Sequence, residues 1–307
     1  MTSPSDNPRA ALLSAFGCYI MWGLMPLLFI GQHAAGFDAM EILAHRTVWA
    51  APAAALLVLA ARQGGQVAAV FRNPRLLGWL AVSTLLIGTN WGVYVWATTH
   101  HATLEASLGY YLNPLLNMVF GLWLFRERMD RFGWVAVGLA AVGVLLQALA
   151  LGRPPWISLF LALSFAAYGV IRKRAPVEAQ AGLLVECLLL APLGVLWLVW
   201  LARAGQGVGF EDPVHLPWAL SNGPATVLPL ALFAWAARRM PLSTLGFIQF
   251  VAPTLQFAVG VMTGEALTPL RAVSFVFIWG GAGVFALGAL MRHRIERRAL
   301  AQGAELP

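Results

Sequence analysis

Ten stretches of mostly apolar residues, each close to the length of a membrane-crossing helix, restrict this chain more than any other feature. They occupy 11–30, 42–61, 76–97, 104–125, 132–150, 155–172, 181–202, 218–237, 243–263 and 270–291. A helix needs about 20 residues to cross the hydrocarbon core of a bilayer. In lipid the backbone must satisfy its own polar groups, which leaves helices as the economical solution for segments of this length. The composition agrees: 60% of the residues are hydrophobic and only 11% charged, whereas a soluble domain carries about 25% charged residues. The expected fold class is an all-α membrane protein of ten transmembrane helices. The first stretch is too long, and lacks the basic start, for a cleavable signal peptide.

A formal charge of +7 raises the question of nucleic acid, and the distribution of the charge answers it. The basic residues lie in short clusters between apolar runs. With the amino terminus inside, sixteen Lys and Arg fall on inside segments. Three (Arg153, Arg203 and Arg271) fall outside and Arg46 lies within a span, so 16, 3 and 1 account for all 20. An excess of basic residues on cytoplasmic loops orients membrane proteins, so both termini are expected in the cytoplasm, with 293–307 as a basic tail. No nucleic-acid partner is expected. Cys18 and Cys187 sit inside apolar runs and read as buried thiols. His45, His100 and His101 have no metal-site spacing. The single lysine, Lys173, follows Arg172 and excludes a Walker A loop. No zinc-protease helix and no nucleophile elbow occurs, and no loop exceeds about 16 residues. No cofactor, no metal and no enzyme activity are expected.

The second half echoes the first. Residues 110–121 read YYLNPLLNMVFG and 249–260 read QFVAPTLQFAVG, so that Tyr110 meets Gln249, Pro114 meets Pro253, Asn117 meets Gln256 and Gly121 meets Gly260. Trp96 meets Trp235 near the same offset, and Arg46 meets Glu186 one residue away from it. The halves are 1–150 and 151–292, with five spans each. An odd number inverts the second copy, an arrangement known from transporters whose halves rock about a site near the midplane.

Residues three and four apart share a helix face. Tyr110, Asn113, Pro114, Asn117 and Gly121 form one stripe, and Gln249, Pro253, Gln256 and Gly260 its counterpart. Each proline frees the carbonyl four residues earlier, those of Tyr110 and Gln249. Asn90, Trp91, Tyr94 and Thr98 make a third stripe; Tyr19, Trp22, Ser164 and Tyr168 add to the set. Aromatic walls with a few amides suit a cavity for small, partly apolar molecules, although amides in membrane helices also bond neighbouring helices. The charges within spans are Arg46, Glu105, Glu186 and, marginally, Glu41. Such charges are costly and functional by default. An Arg46–Glu105 pair is expected to close an outer gate, and Glu186 is the candidate carrier of a coupling proton, against a bland role in orienting helices. Glu127 and Glu265, after the fourth and ninth spans, are expected at interfaces. The glycines of the fifth and tenth spans suit either a contact between repeats or a contact between subunits, so a homodimer stays open.

The motifs EILAHR (41–46), GTNWGVYVWA (88–97), LEASLGYYLNPL (104–115), FAAYGVIRK (165–173), VEAQAGLLVE (177–186) and LSTLGFIQFVAPTLQF (242–257) resemble the RarD proteins. These are EamA-type members of the drug/metabolite transporter superfamily, often labelled chloramphenicol-sensitive or chloramphenicol-resistance permeases. The likeness covers nearly the whole chain, apart from 203–217 and both tails. It implies a bacterial inner-membrane carrier with ten helices in two inverted five-helix EamA repeats, and it implies export of small molecules. Glu41, Arg46, Asn90, Trp91, Glu105, Tyr110, Asn113, Glu186 and Gln249 fall within its motifs.

The expectation is a secondary transporter of small metabolites or drugs, with protons as a candidate coupling ion. Its cargo is expected to meet Tyr19, Trp22, Asn90, Trp91, Tyr94, Tyr110, Asn113, Asn117, Tyr168, Gln249 and Gln256. Arg46, Glu105 and Glu186 are expected to couple or gate. A channel, a membrane scaffold and an intramembrane enzyme are the alternatives.

Overall fold

The computed structural model describes residues 8–125, 130–208, 213–237, 239–240 and 248–301. Among them the regular elements are all helices: α1 (Pro8–Ala34), α2 (Ala39–Ala60), α3 (Gly64–Arg72), α4 (Pro74–Thr99), α5 (Thr103–Phe125), α6 (Arg131–Leu151), α7 (Trp156–Arg174), α8 (Ala179–Ala204), α9 (Leu216–Ala237), α10 (Val251–Met262) and α11 (Pro269–Ala301). Seven of these (α1, α2, α4, α6, α8, α9 and α11) are long and apolar enough to cross a membrane. Helices α5, α7 and α10 fall on the other three expected spans; the segment 241–247, which holds the expected start of the ninth, lies outside the described residues.

Local chemistry sets the helix ends. The Asp38 carboxylate accepts from Met40 N–H at the start of α2, Asn73 accepts from Leu76 N–H ahead of Pro74 in α4, and Asp130 accepts from Gly133 N–H in α6. Each satisfies a first-turn donor that has no intrahelical partner. Helices α6 and α8 end at Gly152 and Gly205, with φ of 65° and 64°, a conformation that a Cβ disfavours. Helix α3 is an addition to the ten expected segments. It is too short to span, and it buries Val70 against Leu80 and Val185 while Phe71 stays exposed.

Polar contacts sort the connecting segments into two ends. At one end Gln32 Nε2 donates to Trp218 O (2.7 Å), Val208 N–H to Glu41, and Leu104 N–H to Glu265 (2.9 Å), while the rings of His33 and His100 lie 6.1 Å apart. At the other end Gln63 Nε2 donates to Gln180 Oε1 (2.7 Å) and Glu178 N–H to Gln66 (3.0 Å). These two sets are the ones that the distribution of basic residues separates into outside and inside.

The most extensive helix pairs are α6 with α11, α2 with α8, α2 with α9, α5 with α7, α1 with α9, α1 with α10, α4 with α7, α5 with α10 and α4 with α8. Between α6 and α11 the contact is made by glycine. A Cβ on Gly143 would lie 2.9 Å from Ser274 O, and one on Gly281 would lie 2.9 Å from Ala136 O. The second contact repeats the first 138 residues on (281−143 and 274−136) with the roles of the helices exchanged. Gly143 and Gly281 therefore serve a contact within the chain, between α6 and α11. Leu145 and Leu149 on α6, and Leu193, Leu196 and Trp200 on α8, stay exposed, as lipid-facing side chains do.

Candidate functional site

Two buried polar groups are joined by a column of aromatic rings. The first is centred on Arg46 of α2, which is 5% exposed. Its guanidinium lies 4.3 Å from the Trp91 ring centroid and 5.4 Å from that of Phe29. Cations on ring faces are attracted by the quadrupole, more so where water is excluded. Among the described residues neither Nε nor Nη1 has a hydrogen-bond acceptor. Tyr94 packs edge-on against Phe29 (6.0 Å) and Tyr110 (5.3 Å). Asn90, one turn before Tyr94, donates from Nδ2 to Leu161 O (3.0 Å) and Ser164 Oγ (2.9 Å), and Tyr110 OH donates to Asn90 Oδ1 at 3.4 Å. This amide ties α4, α5 and α7 together.

The second group surrounds Glu186 of α8, 1% exposed. Ser83 Oγ donates to its Oε1 at 2.6 Å, Tyr168 OH donates to its Oε2 at 3.1 Å, and Arg172 Nε stands 3.8 Å from Oε1. Gly182 makes room: a Cβ there would overlap the Arg172 guanidinium. Phe165 links the two groups, 6.4 Å from Tyr110 and 6.0 Å from Tyr168 between centroids.

The other candidates divide. Tyr19 and Trp22 pack with Phe233, at 6.4 and 6.0 Å, in a cluster of their own beside α9. Trp22 O accepts from Gln256 Nε2 at 3.1 Å. Asn113 and Gln256 are buried; among the described residues Asn113 Oδ1 has no hydrogen-bond partner, and the Gln256 side chain lies beside the Tyr94 hydroxyl. Gln249 is half-buried, and the side chain of Asn117 lies outside the described residues, as does Glu127. Two expectations are corrected. Glu105 does not pair with Arg46; its carboxylate accepts from Arg153 at 2.9 Å and from Ile157 N–H at 3.1 Å, because the first turn of α7 brings free N–H donors against it. The Gln249 carbonyl, expected to be freed by Pro253, accepts from Ala252 N–H at 3.2 Å.

Known proteins are similar to this chain in sequence and in fold. The EamA-like transporter family model matches residues 9–149, the segment from α1 to α6. Protein RarD of Streptomyces exfoliatus is 41% identical over 301 residues, which cover 97% of this chain and 95% of that protein. The chain belongs to the EamA-like transporter family. Protein RarD of Escherichia coli (strain K12) is 39% identical, over 94% of this chain and 98% of that protein. A crystal structure with 21% sequence identity superposes with a TM-score of 0.61, covering 92% of this chain and 98% of that one, and shares the fold. Membership of EamA, with seven apolar helices long enough to cross, makes this a multi-pass membrane protein of a permease family.

Sequence reading of this EamA protein misses Phe29, Phe165, Ser83 and Arg172 as neighbours of the two groups, Arg153 as the partner of Glu105, and the contact that Glu265 makes. That residue is buried and accepts from the Thr103 and Leu104 N–H groups, neutralising the start of α5 as an anion at a helix N-terminus does. No spacing signal reports such contacts: Ser83 is 103 residues from Glu186, and Glu265 is 162 from Thr103.

Proposed function

We propose that this protein is a secondary transporter that moves small molecules across the bacterial inner membrane by alternating access, as an exporter with both termini in the cytoplasm. The observation that carries this reading is the pairing of helices. Match α1, α2, α4, α5 and α6 with α7, α8, α9, α10 and α11. The pairs α1–α9 and α4–α7 then exchange, as do α1–α10 with α5–α7 and α2–α9 with α4–α8; α2–α8, α5–α10 and α6–α11 map onto themselves. These nine most extensive pairs are unchanged by the exchange, as two inverted repeats of five spans produce, with residues 1–150 as one repeat and 151–292 as the other; the smaller α2–α4, α1–α4 and α5–α11 contacts have no counterpart of similar extent among the described residues. The glycine contacts of α6 and α11, repeated with exchanged roles, support the same reading. Asn90, Trp91, Tyr94, Tyr110, Asn113, Tyr168 and Gln256 then line the cargo path, and Glu186, held by Ser83, Tyr168 and Arg172, carries a coupling proton.

The test is counterflow and uptake in proteoliposomes of purified protein, with labelled amino acids, small metabolites and chloramphenicol, with and without a proton gradient. Saturable counterflow supports a carrier. Flux without saturation or counterflow indicates a channel, and chemical conversion of a solute indicates an enzyme. Gradient-driven uptake that Glu186→Gln abolishes while counterflow survives assigns the proton to Glu186. Normal insertion with unaltered transport in both Tyr110→Phe and Asn113→Ala removes the fifth helix from the path.

A further inference from the structure

Arg46 is a full charge placed seven residues into a helix. Among the described residues no carboxylate lies within ion-pair distance of it. The nearby acids are engaged elsewhere: Glu105 with Arg153 and Ile157, and Glu41 with Val208 and His45. Other arginines with an unpartnered nitrogen still donate to a carbonyl, Arg172 to Glu178 and Ala179, Arg239 to Trp235 and Arg271 to Ala266. For Arg46, among the described residues, the ring faces of Phe29 and Trp91 stand where an acceptor is missing, and they offset part of the cost of removing a guanidinium from water. The Tyr94 hydroxyl, from a ring in the same cluster as Phe29 and Tyr110, is also buried, and it faces the Gln256 side chain without a hydrogen bond of normal geometry. The site therefore holds positive charge, unused donors and flat apolar walls.

We infer that Arg46 receives the anionic group of the cargo, and that the cargo class is a small organic carboxylate with an apolar or aromatic body. The inference rests on the transporter reading above and narrows it. A carboxylate supplies the missing charge and the missing acceptors in one group, through the charge-assisted hydrogen bonds for which guanidinium is suited. Its body lies against Phe29, Trp91, Tyr94 and Tyr110. A neutral solute leaves the guanidinium as it is now, unpaired.

The probes are phenylacetate and its neutral amide, phenylacetamide, titrated calorimetrically into purified full-length protein and then tested for counterflow in proteoliposomes. The expected result is saturable binding of the acid, with the amide at least about tenfold weaker. Removing one member of a buried charge pair lowers affinity by about thirtyfold or more, so Arg46→Gln loses the acid to that extent and leaves the amide unchanged. Arg46→Lys keeps the charge and retains part of the preference. If Arg46→Gln fails to fold, the acid-to-amide ratio of the wild type and of Arg46→Lys decides. Equal affinities, an acid affinity unchanged in Arg46→Gln, or no binding of the acid at millimolar concentration overturns the inference. Preferential binding of the acid without counterflow of any solute upholds the anion site and refutes the carrier. Counterflow of neutral solutes without acid preference does the reverse.

Discussion

Consider alanine at Gly143 and at Gly281, the two glycines that join α6 to α11. At Gly143 the new Cβ meets Ser274 O at 2.9 Å and the Ile278 side chain at 2.5 Å; at Gly281 it meets Ala136 O at 2.9 Å. The Ile278 side chain can rotate aside, but neither carbonyl can move without its helix. Overpacking of this kind costs about 1–3 kcal/mol. Alanine favours a helix over glycine by up to about 1 kcal/mol, but helices persist in detergent-denatured membrane proteins, so that gain shrinks. Gly138 and Gly283 stand on the same two helices, and a Cβ added at either would meet nothing within 4 Å, so they isolate the propensity effect. The expected result is a loss of about 1–2 kcal/mol for Gly143→Ala and for Gly281→Ala, against no change or a slight gain for Gly138→Ala and Gly283→Ala. The assay is reversible denaturation in mixed micelles, read by tryptophan fluorescence. If Gly143→Ala is as stable as Gly138→Ala, the close approach of α6 and α11 is wrong.

Further expectations come from the buried polar contacts. Arg153 is 44% exposed, so Arg153→Ala lowers stability by less than about 1 kcal/mol, whereas Glu105→Ala also strands Ile157 N–H and costs about 2–3 kcal/mol; parity of the two in the same unfolding assay contradicts the pairing. Glu265→Gln keeps an acceptor for the Thr103 and Leu104 N–H groups but loses the charge, and is expected to cost about 1 kcal/mol, with Glu265→Ala clearly worse. Asn90→Ala removes donations to Leu161 O and Ser164 Oγ and is expected to cost about 0.6–1.7 kcal/mol; a cysteine pair across α4 and α7 then crosslinks less efficiently. Gly182→Ala displaces Arg172 from Glu186 and is expected to impair gradient-driven uptake more than counterflow.

Span positions are legible because hydropathy over about 20 residues acts within one segment. The ends of α2, α4 and α6 follow from Asp38, Asn73 and Asp130, each beside the donors it caps. Helix α3 is hidden because nine residues with a Gly-Gly start look like a loop until Val70 is seen buried. Depth in the membrane is readable, which places Arg46 and Glu105 toward the same end. Azimuth is not. Arg46 turns to Phe29 and Trp91, Glu105 turns to the start of α7, and the pairing expected from their similar depth fails. Tyr19 shares its composition with Tyr94 and Tyr110, yet it packs beside Phe233, because an aromatic residue carries no label for its neighbour.

The column Phe29–Tyr94–Tyr110–Phe165–Tyr168 has a kinetic consequence. Its successive rings meet at 6.0, 5.3, 6.4 and 6.0 Å between centroids. An aromatic pair contributes about 0.5–1.5 kcal/mol beyond its buried area, so no single contact is a high barrier. A plug made of one strong lock opens all at once or not at all. If the column lies on the proposed cargo path, a flat guest entering between two rings would replace the contact it breaks, and its passage would be divided into several shallow steps.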